Sequence, residues 1–547
     1  MCARFRSPPC VLAGVVAAAL AGTAGAADDT IDFRVRPGDT LIGLSRQVFV
    51  SAAAWREIAR LNRLPDPNRI QPGQTLRVPT RLMRSTALAA RLVSTVGEVS
   101  VGGAVAETGA TLVEGQAVQT GANGSAVVEL ADGSRMRVPP SSLAEIVASR
   151  RYGAPESAAD TGGWFAGAMR LVRGSVEMFA TQIRRARPLE VSTPTAVVGV
   201  RGTHYRVALD ESAATRSEVL EGRVRLDATD RRSGADLAAG FGAVLDPGAD
   251  RAPAPIALPA APDLSAVPAR FERPLVRFPL AAETVPLRVQ VAEDAAFDRI
   301  VSDQVSQPGT EVRIAGLPDG PWHLRARRLD ARGLGGFDAA RSFELKARPE
   351  PPASSRPRAN AKQAVGAVEF AWARNVEAAR VHLQVAADAG FAQPLIDRSD
   401  LDGGEARAEL PAPGTYFWRV ASVKADGDHG PFGDAQRFEL RPNPEPPKGG
   451  LGADGKTIVL SWPGRPEDRQ QVELARDPAF TDIVARAELP SAEWSVPTPS
   501  RSGTYYFRYR SVEPDGYVSP YSSTLSIEVP RDWTRLWPLA PLLLLLL

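Results

Sequence analysis

The sequence predicts a multidomain, mainly β chain: a small βααβ module, a β-rich domain and three tandem β-sandwiches. Three observations carry this. Residues 31–80 read strand, helix, helix, strand. Residues 92–250 alternate apolar and polar side chains in short runs cut by Gly and Asp-Gly turns. A stretch of about 90 residues then recurs three times. The 547 residues leave room for roughly three to five domains.

Residues 1–26 stand outside the folded count. Arg4 and Arg6 form a basic start, VLAGVVAAALAG is a short apolar run, and Ala24-Gly25-Ala26 offers small residues for cleavage. This is the pattern of a secretory signal peptide, and it implies a periplasmic or cell-envelope location. Cys2 and Cys10 precede the apolar run and leave with it. The mature chain is therefore expected to hold no disulfide, no thiolate nucleophile and no Cys-ligated metal. Without Arg4 and Arg6 the 65 basic residues fall to 63, equal to the 63 acidic ones. A neutral chain lacks the electrostatic footprint of a nucleic-acid binder. No stretch reaches bilayer-spanning length, so no transmembrane helix is expected in the mature chain. The closest approach, LWPLAPLLLLLL in the hydrophobic tail 531–547, is broken by Pro538 and Pro541.

In the opening module, 31–80, Leu41, Leu44, Val48 and Phe49 recur at helical spacing. A second helix over SAAAWREIARLN places Ala54, Trp55, Ile58 and Leu61 on one face, with Ser51 as its expected N-cap. FRVR and TLRVP alternate as strands do. So small a unit must pack its helices directly on a two-stranded sheet.

The β-rich domain, 92–250, contains the runs GEVSVGG, SAVVELADGSRMRV, MRLVRGSVEMF, LEVSTPTAVVGVRGTHYRVAL and SEVLEGRVRLDA. Only PSSLAEIVASRRYG breaks the alternation, and it reads as a loop. A Pro- and Ala-rich linker, 251–264, leads to repeats at 265–347, 358–441 and 450–530. Phe278, Trp372 and Trp462 open them; Phe297, Phe391 and Phe480 align, as do Gly320, Gly414 and Gly503, at intervals of 94 and then 89 or 90. FEL, FEL and IEV close the units, and the joints ARPEPPASSRPR and RPNPEPPKGG are semi-rigid spacers open to proteolysis.

Val35, Gly38-Asp39-Thr40-Leu41, Phe49, Leu61-Asn62, Ile70, Gly73, Leu76, Val78 and Pro79, with Phe33 at the start of the first strand, make the opening module resemble the LysM family of glycan-binding domains over nearly all of 33–79. The resemblance implies a shallow groove between two loops that binds peptidoglycan or another N-acetylglucosamine polymer. The implied site comprises Gly38, Asp39, Thr40, Leu41 and Ile42 in the first loop and Asn68, Ile70, Gln71, Pro72 and Gly73 in the second. Turn amides and carbonyls would bond the N-acetyl groups, Leu41 and Ile70 would touch the sugar face, and Gly38 and Gly73 would permit close approach. The competing role for Asp39 is a cap on the first helix. Eight arginines against four acids between 31 and 80 also favour an anionic wall polymer.

GEVSV, LVEGQAVQTGANGSAVVELADGSRMRV, VSTPTAVVGVRGTHYRV and VLEGRVRL resemble the FecR-type periplasmic domain. In siderophore-sensing relatives such a domain relays a signal through one membrane helix to a cytoplasmic segment. Neither appears here, so sigma regulation is not carried over. Arg201, Gly202 and Thr203 are expected to fix a turn or bulge and a buried hydrogen bond. The three repeats resemble fibronectin type III or related immunoglobulin-like domains, which imply spacing or protein contact and no chemistry.

Nothing points to catalysis or a cofactor. His204, His323, His382 and His429 read as isolated, and no HExxH, HxH or GxSxG pattern occurs. The sequence therefore points to a secreted Gram-negative envelope protein that binds peptidoglycan through 31–80 and presents its β domains as a scaffold for a protein partner. The alternative is a periplasmic sensor acting through the FecR-type domain.

Overall fold

A computed structural model describes residues 30–153, 164–183, 185, 187–200, 202–249, 251, 253–280 and 283–531. The expected signal peptide, Arg201 and nearly all of the hydrophobic tail lie outside the described residues. The chain divides into two compact units. One holds the opening module, the β domain and most of the first repeat; the other holds the remaining two repeats.

The opening module is βααβ. Strand β1 (Thr30–Arg34) pairs antiparallel with β2 (Thr75–Pro79), and the helices α1 (Leu41–Gln47) and α2 (Ala54–Leu61) lie between them in the chain. Ile31, Phe33, Val35, Leu41, Leu44, Val48, Phe49, Ile58, Leu76 and Val78 form the core, with Phe49, Ile58, Leu76 and Val78 fully buried. Two local expectations are corrected. Ser51 does not occupy the N-cap; it lies two residues before Ala53, whose amide donates to the Ser51 hydroxyl at 3.1 Å. Leu61 is 45 % exposed, because α2 turns the small Ala54 and Ala59 inward beside Ile58 and sits close to the sheet.

This core does not end at residue 80. Leu82 and Met83 belong to it, and Tyr152 and Trp164 of the β domain pack against it. Phe33 and Trp164 meet with ring centroids 5.6 Å apart, and the Arg187 guanidinium donates to the Thr80 hydroxyl at 3.2 Å. The module is therefore built onto the β domain through shared side chains.

Strands between Ser85 and Ala257 close into a barrel. Its axis of construction is a long strand, Trp164–Phe179, that pairs with Leu143–Tyr152 and also with His204–Leu209. Leu143–Tyr152 is thus a strand and not the expected loop. Its inward residues are the small Ala144 and Ser149 with Ile146, and a register shift falls between Ile146 and Ala148. Small inward residues and a bulge together erase the sequence alternation. The remaining alternating runs form strands where expected, including the hairpin Ser125–Glu129 with Arg135–Val138 around Asp-Gly.

The linker after the barrel is not a free spacer. Leu258, Leu264 and Val267 are buried, and Arg328 and Arg341 donate to the carbonyls of Ala260, Ala261, Leu264 and Ser265. Each repeat is a two-sheet sandwich. The shared positions read from the sequence have a common geometry. Phe297, Phe391 and Phe480 all adopt left-handed φ of 58°, 53° and 57°. Each donates its amide to the carbonyl of an Asp three residues earlier (Asp294, Asp388, Asp477), and those carboxylates accept further loop amides. An arginine from a neighbouring strand covers each ring: Arg325 at 4.7 Å, Arg419 at 4.0 Å and Arg508 at 3.9 Å from the centroid. In the second and third repeats Tyr416 and Tyr505 donate back to the carbonyls of Ala412 and Arg501, the tyrosine corner of immunoglobulin-like sandwiches. Trp322 stands at that position in the first repeat.

Candidate functional site

The two loops implied to bind glycan are copies of one turn. Arg36-Pro37-Gly38-Asp39-Thr40 and Gln71-Pro72-Gly73-Gln74-Thr75 share the pattern x-Pro-Gly-x-Thr. In the first, the Asp39 amide donates to the Arg36 carbonyl at 3.1 Å and the Arg36 amide donates to the Asp39 carboxylate at 2.8 Å. In the second, Gln74 does the same to Gln71, at 3.0 Å each way. Proline presets the first central position and glycine supplies the left-handed second one, with φ of +90° at Gly38 and +86° at Gly73. A Cβ at either glycine would meet nothing within 4 Å, so conformation, not crowding, selects glycine there.

Backbone hydrogen bonds bring the turns together. The Gly73 amide donates to the Val35 carbonyl and the Val35 amide donates to the Gln74 carbonyl, both at 2.8 Å. The chain entering the first turn is thereby tied to the second turn itself. The sequence reading identified both loops but missed their equivalence, although the repeated Pro-Gly-x-Thr was the available signal.

The individual site residues separate by burial. Gly38, Thr40, Asn68, Gln71, Pro72 and Gly73 are exposed, and Asp39 and Ile70 are half-buried. Thr40, not Asp39, caps α1, its hydroxyl accepting the Gly43 amide at 3.0 Å. Leu41 is 1 % exposed and lies in the core, so its side chain offers no surface for the contact expected of it, whereas its neighbour Ile42 is 45 % exposed. Helical periodicity alone puts Leu41 beneath the sheet with Leu44, and a motif position carries no sign of which way it faces. Asn68 also shapes its loop, its amide donating to the Asp66 carboxylate at 2.9 Å.

Elsewhere the notable polar residues serve structure. Thr193 and Thr195, of the Thr-Pro-x-Ala element, both share hydrogen bonds with the Thr215 hydroxyl, at 2.6 and 2.5 Å. Gly202 is left-handed at φ 64°, the buried Thr203 accepts the Ala180 amide at 2.9 Å, and a register shift follows between His204 and Tyr205. The reading of four isolated histidines is corrected. His382 and His429, on strands flanking Ala421, approach to 2.8 Å between Nδ1 and Nε2, and Asp397 pairs with the other nitrogen of His382. Among the described residues no group of three His, Cys, Asp or Glu is placed to hold a metal ion. No helix among them is long and apolar enough to cross a membrane.

Charge is instead concentrated where the barrel meets the first repeat. Glu177 is buried and receives Arg137 at 2.6 Å, His204 at 2.9 Å and Arg325 at 3.0 Å. Arg206 of the barrel pairs with Glu218 at 2.8 Å, and Arg327 of the repeat with Asp338 at 2.8 Å. Burial pushes the Glu177 carboxyl up, but Arg325, the His204 hydrogen bond, Arg137 and Arg206 outweigh it and hold the group well below the usual carboxylate range.

Comparison with known proteins matches residues 33–79 to the LysM domain and residues 116–225 to the FecR protein family. No curated protein matches the chain. Among solved structures, the chicken CNTN1 FN1–FN3 domains are 12% identical, with 45% of this chain and 90% of that one covered at a TM-score of 0.21. Fibronectin(III)-like modules of Clostridium thermocellum CbhA are 13% identical, with 32% and 93% covered, also at 0.21. The LysM and FecR families are binding or regulatory, and neither is catalytic.

Proposed function

We propose that this chain, which carries a LysM domain and a FecR domain ahead of fibronectin-like repeats, is a secreted envelope protein that holds peptidoglycan in the groove between its twin turns. The supporting observation is the pair of Pro-Gly turns fastened side by side by Val35, Gly73 and Gln74. Both turns leave exposed backbone at Gly38 and Gly73, and Ile42 offers apolar surface. A polysaccharide with N-acetyl groups needs this combination of amide partners and a small apolar contact. The β barrel and repeats then act as a scaffold for a protein partner in the periplasm.

The test uses the full chain without residues 1–26, because the module shares core with Trp164. It should co-sediment with purified peptidoglycan at micromolar to millimolar affinity, as few desolvated contacts allow, roughly −4 to −8 kcal/mol. A chain carrying Asn68→Ala and Gln71→Ala should sediment less. Equal sedimentation of both chains would place the groove elsewhere. The FecR match supports a second reading, a sensor that receives a partner's signal on the barrel. Capture of one specific periplasmic protein by the full chain without residues 1–26, abolished by barrel-surface substitutions, would favour it.

A further inference from the structure

We infer that His382 and His429 form a binding site for one divalent transition-metal ion of the imidazole-seeking class, with Asp397 as the carboxylate that orients it. The two histidines lie in the second repeat, on strands Arg380–Ala386 and His429–Phe432, which both pair with Gly414–Val423 between them. Strand alternation sends Val381, Leu383, Trp418 and Val420 into the core, so His382 and its partner Ala421 share the outer face. Ala421 puts only a methyl group on that face, and the two rings converge over it.

The ground for the inference is where the ring protons must sit. His382 Nε2 pairs with the Asp397 carboxylate, and His429 Nδ1 lies 2.6 Å from the Gly430 carbonyl. The His382 hydrogen bond, more than any other group, holds the Asp397 carboxyl below its ordinary 3.8, so it only accepts. Its second oxygen accepts Gln384 Nε2 at 3.2 Å, and Arg419 donates twice to Gln384 Oε1, at 3.0 and 2.8 Å, which fixes that amide. Neither the carboxylate nor the carbonyl can give a proton, so each ring carries its own on that outer nitrogen. The two inner nitrogens, Nδ1 of His382 and Nε2 of His429, therefore face each other at 2.8 Å as lone pairs. Such a pair is repulsive unless a cation lies between. A ligating imidazole characteristically donates its other N–H to a carboxylate or a backbone carbonyl, and here one ring does each. Zinc–nitrogen bonds of about 2.0–2.1 Å set tetrahedral ligands roughly 3.3 Å apart, so the rings need part by only about half an ångström. His429 is exposed and opens a strand of four residues, which leaves it free to shift. Phe432 closes one side, with its centroid 5.0 Å from His382 and 5.5 Å from His429. The nearby cation, Arg419, is held over the Phe432 ring at 4.2 Å, and Asp428 beside His429 is taken by Lys346 and Lys424. Two imidazoles leave the remaining coordination positions to water. No cysteine follows residue 10, so nitrogen donors set the choice of ion: copper, nickel or zinc.

The test titrates the untagged full chain without residues 1–26 with copper(II), zinc(II) and magnesium chlorides at neutral pH in a calorimeter. One ion should bind per chain, copper more tightly than zinc, and magnesium not at all. H382Q and H429Q, with unchanged circular dichroism, should each weaken binding by about tenfold or more. D397N leaves both inner nitrogens in place and should still weaken it by roughly tenfold to a hundredfold, the usual cost of removing an outer carboxylate. H323Q should bind as the wild type does. The chain has four histidines, so ring nitrogen spectra give a second reading: zinc should shift the signals of His382 and His429 and leave the other two in place. Should the variants misfold, that pattern on the wild type decides alone. Absence of heat and of ring shifts with millimolar copper or zinc overturns the site and leaves a shared proton between the rings. Undiminished binding by H382Q and H429Q, or zinc shifts confined to His204 or His323, overturns it in favour of another locus. Magnesium binding as tightly as zinc overturns the class of ion.

Discussion

Asn62 joins α2 to β2 through both ends of its amide: Nδ2 donates to the Arg77 carbonyl at 2.8 Å, and Oδ1 accepts the Arg77 amide at 2.6 Å. Nδ2 also reaches the Ile58 carbonyl at 2.8 Å, closing the helix end. The side chain thus imitates a third strand beside β2, with its carbonyl and amide in the places of backbone groups. Asn62→Ala should lower the module's stability by about 1–2 kcal/mol, because it strands both Arg77 backbone groups. Asn62→Asp should cost at least as much, since it loses both donors. Chemical denaturation followed by tryptophan fluorescence measures this. An unchanged midpoint for Asn62→Ala would show that water replaces the clamp without cost.

Leu41 and Ile42 are adjacent, yet they should behave oppositely. Leu41→Ala removes a core side chain that is 1 % exposed and should cost about 2–5 kcal/mol. Ile42→Ala removes a 45 % exposed one, should leave the melting temperature nearly unchanged, and should weaken sedimentation with peptidoglycan. The pair separates fold from site in one experiment. A stable Leu41→Ala chain with lost binding would place Leu41 in the groove after all.

Periodicity made the architecture legible, because alternating strands and aligned aromatics report burial directly. The repeats show this best: Phe297, Phe391 and Phe480 were aligned by sequence alone and share one backbone conformation. What alternation does not encode was lost. Ala144 and Ser149 are too small to mark a buried face, so the strand Leu143–Tyr152 read as a loop. His382 and His429 lie 47 positions apart, and only pairing through the intervening strand unites them. The groove loops were found by motif, whereas the direction in which Leu41 faces depended on packing. Pro and Ala carry no polar signal, so the sequence of the linker does not show that arginines of the first repeat hold its carbonyls.

That held linker changes what proteolysis should cut. Residues 258–267 are anchored by buried Leu258, Leu264 and Val267, whereas Val376 is fully exposed and Arg374 beside it is exposed too. Trypsin should therefore cleave at Arg374 before cutting at Arg251 or Arg270. Mass spectrometry of early fragments checks the order, and first cleavage at Arg251 or Arg270 would return the linker to a flexible spacer.

The third repeat offers a test of its signature. Arg508 covers Phe480 at 3.9 Å and Tyr521 at 3.8 Å while donating to the buried Glu473 at 2.6 Å. Arg508→Lys keeps the charge but gives up the planar stack and the fork on the carboxylate. It should lower that repeat's stability by roughly 1–2 kcal/mol. A thermal scan that shows no shift would make the shared arginine a bystander of the loop.

The joint between barrel and first repeat should weaken in acid. Glu177 is held well below its ordinary 4.5 in the fold, and Asp338 is held below 3.8 because Arg327, Arg206 and Arg325 outweigh its burial. A carboxylate with a depressed folded pKa binds fewer protons in the native state than in the unfolded one. Its stabilisation is therefore complete above the unfolded value, and it is lost as pH falls from there through the folded value. Melting temperature should be flat from pH 7 to about 5 and drop steeply below roughly 4.5, the range in which the unfolded carboxyls take up protons. Glu177→Gln should lower stability at pH 7 by about 3–5 kcal/mol, since Arg137 and Arg325 would be left buried beside a neutral amide. The same variant should flatten the acid drop in part, because the Glu177 share of the proton-binding difference is gone while that of Asp338 remains. A variant that is destabilised at pH 7 yet keeps the full acid slope would assign the acid sensitivity to other carboxylates.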